Sequence, residues 1–134
     1  MSTNQITFTQ SKTVQAKPDF YMPVTLDIGK TLKSWQLSIF SHEWLEETNE
    51  GKAQIKPTTA LKKTDQAKRS AIESALQNGA PLESPVLGIG IQDNVEIGSG
   101  KAILCTLAAN GIKTIPAYIP KSNEEDFKPF LAAV

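Results

Sequence analysis

Between Glu96 and Lys101 the chain reads Glu96-Ile97-Gly98-Ser99-Gly100-Lys101, which brings a carboxylate, a hydroxyl, an ammonium and two glycines into one short segment. If a helix opens near Lys101, its first N–H groups carry partial positive charge, and Gly98 and Gly100 let an anion approach the backbone. Ser99 and Lys101 add donors, so a phosphate or a carboxylate is the ligand such a turn suits. The same residues also fit a plain strand-to-helix turn with Lys101 in solvent.

Three sharper motifs fail on spacing. A phosphate-binding loop of the form G-x-x-x-x-G-K-[ST] would need glycine where Val95 stands and a hydroxyl where Ala102 stands. A serine-hydrolase elbow, G-x-S-x-G, would need glycine at Ile97. Gly88-Ile89-Gly90 begins like a dinucleotide fingerprint, but Asp93 occupies the third glycine position and no helix follows directly.

The elements that would hold the segment are read from periodicity and breakers. Residues 1–18 are rich in Thr, Gln, Ser and Lys, and only Ile6 and Phe8 alternate, which gives a polar N-terminal arm or an edge strand. Phe20 to Ile28 is β-prone, with Pro23 suited to an edge and Gly29 ending the run. Leu32, Trp35, Leu37, Phe40, Trp44 and Leu45 predict a helix from about Thr31, or two short elements around Ser41. Trp35 and Trp44 are core anchors, or a stacking platform for bases if a basic groove adjoins them.

Further on, Thr64 or Asp65 caps a helix to about Asn78, with Ala67, Ala71, Ile72, Ala75 and Leu76 as its apolar stripe and Gly79 as its end. Val86 to Ile91 reads as a buried strand, Gln92-Asp93-Asn94 as a turn, and Val95 to Ile97 as the second strand of a hairpin. Lys101 to Asn110 follows as a helix closed by Gly111, and Lys113 to Ile119 as a strand whose Pro116 predicts an edge position or a bulge. Ser122 and Glu125 fit a capping box for a last helix containing Phe127, Phe130 and Leu131. The expected architecture is α+β: a small mixed sheet flanked by helices in a single domain over residues 19–134, behind the arm of residues 1–18.

Composition narrows the function. The 134 residues carry 14 basic and 14 acidic side chains, and this zero net charge argues against wrapping nucleic acid or membrane by bulk electrostatics. Arg69 is the single arginine, which weighs against base reading by bidentate guanidinium contacts. A local patch remains: Lys52, Lys56, Lys62, Lys63, Lys68 and Arg69 stand against Asp65 alone, a local net charge of plus five that could face a polyanion or simply be solvated. One cysteine, Cys105, excludes an internal disulfide, and with His42 as the single histidine a structural zinc has no usual ligand set. With no leader-like start and no run of roughly 18 apolar residues, the expectation is a cytoplasmic protein with no membrane partner.

From Pro85 to Pro120 the order of glycines and apolar residues, Gly88-Ile89-Gly90, Val95 to Leu104, Leu107 to Gly111 and Thr114-Ile115-Pro116-Ala117-Tyr118-Ile119-Pro120, resembles the ParB N-terminal and sulfiredoxin-like domain. That family has a strand, a G-x-x-R loop opening a helix, a glycine at the helix end, and a closing strand. Aligning its glycine with Gly100 places Ile103 at the phosphate-engaging arginine, and Lys101 at the reactive cysteine of sulfiredoxin. Sulfiredoxin chemistry is thereby unsupported, and Cys105 reads as a small core residue.

What the resemblance implies is a ParB-like accessory protein of a bacterium, plasmid or phage, akin to plasmid fertility-inhibition proteins. It would bind nucleotide or nucleic-acid phosphate at Gly98, Ser99, Gly100 and Lys101, with Lys62, Lys63, Lys68 and Arg69 as a nucleic-acid surface. Binding is expected rather than turnover; a surviving activity would be that of a nuclease or nucleotide hydrolase, with Glu96 as general base or metal ligand. The cofactor is open, a nucleoside triphosphate with Mg being the candidate. The alternative is a catalytically silent module on the same fold that binds or inhibits a protein partner.

Overall fold

The structure, a computed structural model, describes residues 6–46 and 53–133. A short strand β1 (Phe8–Thr9) and helix α1 (Lys12–Ala16) precede β2 (Tyr21–Asp27) and α2 (Ile28–Trp35). Then come β3 (Leu45–Glu46), β4 (Gln54–Ile55), the long α3 (Lys63–Asn78) and β5 (Leu82–Glu83). The hairpin β6 (Val86–Ile89) and β7 (Val95–Ser99), helix α4 (Lys101–Ala109) and strand β8 (Thr114–Pro120) follow.

The main sheet has the order β2-β8-β6-β7. Strand β8 runs antiparallel to β2 from Tyr21↔Pro120 to Asp27↔Thr114, and meets β6 in parallel at Val86↔Tyr118. Short ladders join β1 to β5 and β3 to β4. The chain is therefore a mixed α+β protein. Ile115, Ala117 and Ile119 of β8 are buried, and the residues between them lie on the other face, as the two-residue period of a strand requires. Helix α2 packs against β7, α4 packs against α2, and α3 packs on α4. The core they close contains Leu26, Trp35, Trp44, Leu104, Leu107, Ile115 and Phe127. Among the described residues no helix is long and apolar enough to cross a membrane.

The structure decides between the alternatives at some positions and revises the expectation at others. Residues 8–16 lie on the body of the protein: β1 pairs with β5, Val14 is buried, and Gln10 Nε2 donates to the Tyr118 hydroxyl at 3.2 Å. Helix α2 starts at Ile28, ahead of Thr31, because the Asp27 side chain accepts from the Lys30 N–H at 2.9 Å and Gly29 is absorbed into the first turn. A separate 3₁₀ turn covers Ile39–Glu43, so the region of the two tryptophans holds two elements. In α3, Ile72 and Leu76 are buried while Ala67 and Ala71 face solvent, and the helix ends at Gly79 with φ 69°.

Pro116 lies in a central strand. Its neighbour two residues on, Tyr118, donates to the Pro85 carbonyl at 3.0 Å, so Pro116 turns its missing donor toward the same side, beyond the start of β6, where no ladder bond is lost. The expected C-terminal helix is replaced by 3₁₀ turns at Lys121–Asn123 and Lys128–Phe130. Pro129 would sit inside that helix and clash with the carbonyl one turn earlier, so the chain leaves as extended backbone and Leu131 bridges to Leu26.

Candidate functional site

Strand β7 runs through Ser99, and Gly100 turns the chain into α4 with φ 84°. A Cβ at Gly100 would also stand 2.8 Å from Pro85 Cα and Cβ, so both backbone conformation and space require glycine there. Among the described residues no side chain caps α4, and its helical ladder starts with Leu104 N–H donating to the Gly100 carbonyl at 2.9 Å. The N–H groups of the first turn thus lack an intrahelical acceptor, and the positive end of the helix dipole lies at this turn.

The turn forms one wall of a cleft of about 440 Å³. Glu96 to Ile103 line it from β7 and α4, Asp65 and Lys68 from α3, and Trp35 and Phe40 from the α2 region. Phe40 is 59% exposed, an aromatic ring presented at the cleft. Trp35 and Trp44 are buried in the core.

Lys101 is not a free ammonium. Its Nζ donates to Glu43 Oε1 at 2.7 Å, and the other oxygen of the same carboxylate pairs with Lys62 Nζ. The bond from Lys101, then that from Lys62, holds the Glu43 carboxyl at about 2, well below its ordinary 4.5. Glu43 in turn holds the Lys62 ammonium above its ordinary range. One carboxylate against two ammonium groups leaves this cluster a net charge of plus one, which Lys68, Asp65 and Glu96 of the cleft lining together bring to zero.

The remaining expected site residues fall in different places. Glu96 stands in the cleft, where its Oε2 accepts from Asn94 Nδ2 at 3.1 Å. Lys68 joins the loop at the cleft, and Lys63 is exposed on the first turn of α3. Arg69 turns inward: it donates to the Lys56 carbonyl at 3.2 Å and pairs with Glu73 at 3.4 Å. Lys56 Nζ bonds to the His42 carbonyl, and Lys52 lies outside the described residues. Among the described residues no group of three or more His, Cys, Asp or Glu side chains could hold a metal ion. Cys105 lies on the buried side of α4, and burial pushes its thiol far above the ordinary range.

Three residues of the site carried no functional signal in the sequence: Glu43, Asp65 and Phe40. Asp65 looked like a helix cap and Phe40 like part of an apolar stripe. Only the fold brings Glu43 to Lys101, across a sequence separation of 58 residues. No family model, no curated protein and no solved structure matches the chain.

Proposed function

We propose that the chain binds the phosphate of a nucleotide or nucleic acid in the cleft at the start of α4, as a ParB-like accessory protein. One observation carries the reading: the Gly98–Lys101 turn, the Lys68 side chain and the exposed ring of Phe40 all line one cleft. The helix start and Lys68 suit the phosphate, and the ring suits a base. The order of β7, glycine turn, α4, Gly111 and β8 supports a ParB/sulfiredoxin-like reading of the fold, since the resembling family uses that order. Glu43 supplies a resident counter-ion to Lys101, which an incoming phosphate would displace or share.

A thermal-shift titration with ATP, CTP and GTP, with and without magnesium, tests the reading on the wild-type chain, Lys68→Glu and Lys101→Ala. Binding to the folded state adds RT ln(1 + [L]/Kd), about 2.7 kcal/mol at a hundredfold excess over Kd. The expected result is a saturable rise in Tm, with affinity reduced roughly tenfold by Lys68→Glu, which removes a charge-assisted contact and adds repulsion. No shift with any nucleotide sinks the reading.

That second outcome favours the alternative, a protein-binding module. Its support is the cluster Leu37, Ile39 and Phe40, which are 65%, 77% and 59% exposed within four residues. On that reading, charge changes at Lys101 and Glu96 leave function intact.

A further inference from the structure

Asp65 is the least explained group in the cleft. It is only 6% exposed, it lines the cleft beside the start of α4, and among the described residues its carboxylate has no hydrogen-bond or ion-pair partner. Lys62 feels its charge but gives its contact to Glu43. An acidic residue in the first turn of a helix is favoured by the helix dipole, and Asp65 occupies that turn of α3. The dipole accounts for the sign of the charge. It does not account for the side chain's place in the cleft, since a first-turn acid is favoured just as well in open solvent.

We infer that Asp65 reads the base of the bound nucleotide and selects guanine; this rests on the cleft being a nucleotide site, as proposed above. An ionised carboxylate offers acceptors only, on two adjacent oxygens. Guanine presents two adjacent donors, N1–H and the N2 amino group, which match those oxygens one to one. Adenine and cytosine present one amino group beside an acceptor nitrogen, which a carboxylate repels, and uracil presents one N–H between two carbonyl oxygens. Glu96, the other carboxylate of the cleft, already accepts from Asn94, so among the described residues Asp65 is the cleft carboxylate with both oxygens uncommitted. The base would lie between Asp65 and the Phe40 ring, with its phosphate at the Gly98–Lys101 turn. A volume of about 440 Å³ is sufficient for such a ligand.

Calorimetric titration of the whole chain with GTP, ITP, XTP, ATP and CTP tests the inference, alongside Asp65→Asn. GTP should bind tightest, roughly tenfold or more above ATP and CTP, as expected of two bonds to a charged acceptor. ITP, which lacks the N2 amino group, should fall between them, and XTP, which has a carbonyl there, should be among the weakest. Asp65→Asn should lose the preference for GTP, improve XTP, and leave ATP within about twofold, since ATP makes no paired contact with the carboxylate. A short single strand with one guanine, run beside GTP, tells a strand from a free nucleotide as the source of the base, and preference for guanine in either supports the inference. Equal binding of all five nucleotides, or a GTP preference that survives Asp65→Asn, overturns base reading and leaves the phosphate site standing. Absence of binding by every nucleotide overturns both. If Asp65→Asn does not fold, the order GTP, ITP, XTP on the wild-type chain decides.

Discussion

Glu43 joins two lysines that the sequence keeps apart from it and from each other, and its consequence is a pH dependence. In the folded protein its carboxyl titrates at about 2 and in the unfolded chain near 4.5, so the pairing stabilises fully above pH 4.5 and is lost as pH falls toward 2. Urea unfolding at pH 5 and pH 3 should show a smaller loss of stability on acidification in Glu43→Gln than in the wild-type chain. An equal loss in both would mean that solvent screens the cluster, whose side chains are 28% to 62% exposed. At this scale the sequence was a partial guide. Gly98, Ser99, Gly100 and Lys101 could be picked out because local spacing carries the signal. The state of Lys101 could not, because its partner arrives through tertiary packing.

Among the elements, Gly79 and Gly100 make a controlled comparison. Gly79 closes α3 with φ 69° and open space where a side chain would go, whereas Gly100 opens α4 with φ 84° and Pro85 in the way. Gly79→Ala should cost about 1–2 kcal/mol, the left-handed strain alone. Gly100→Ala should cost about 2–4 kcal/mol, strain plus overpacking, and should move the start of α4. Chemical denaturation of both variants checks the order, and equal losses would show that Pro85 yields freely. Helices α3 and α4 were legible because capping glycines and apolar spacing are local properties. The C-terminal segment was misread because Ser122 and Glu125 mimic a capping box while Pro129 forbids the helix behind it. Pro116 was misread for a different reason: which side of a strand lacks a neighbour is a matter of sheet order, and sheet order is not local.

For the whole molecule, the core offers its own reporter of unfolding. Cys105 lies at the centre of the packing, with its thiol held protonated by burial. A thiol reagent such as Ellman's should leave the native chain unmodified over the time in which it fully labels the urea-unfolded chain. The labelling rate should rise with urea in step with global unfolding. Fast labelling of the native protein would mean that α4 opens by itself, a result of direct concern for a ligand bound at its first turn. The α+β class was legible because helical and strand periods alternate along the chain. The strand order was not, since nothing in the sequence of β2 names β8 as its partner.

That pairing has a consequence for synthesis on the ribosome. The residues it joins are 87 to 99 positions apart, from Asp27 with Thr114 to Tyr21 with Pro120, so β2 emerges from the exit tunnel long before its partner is translated. Until then it must wait with its backbone donors in water or in passing company, while the later hairpin β6–β7 can form as soon as it emerges. The sheet is thus completed from its late-made half, and a nascent chain stalled before β8 would carry an unpaired β2, a strand open to pairing with other chains.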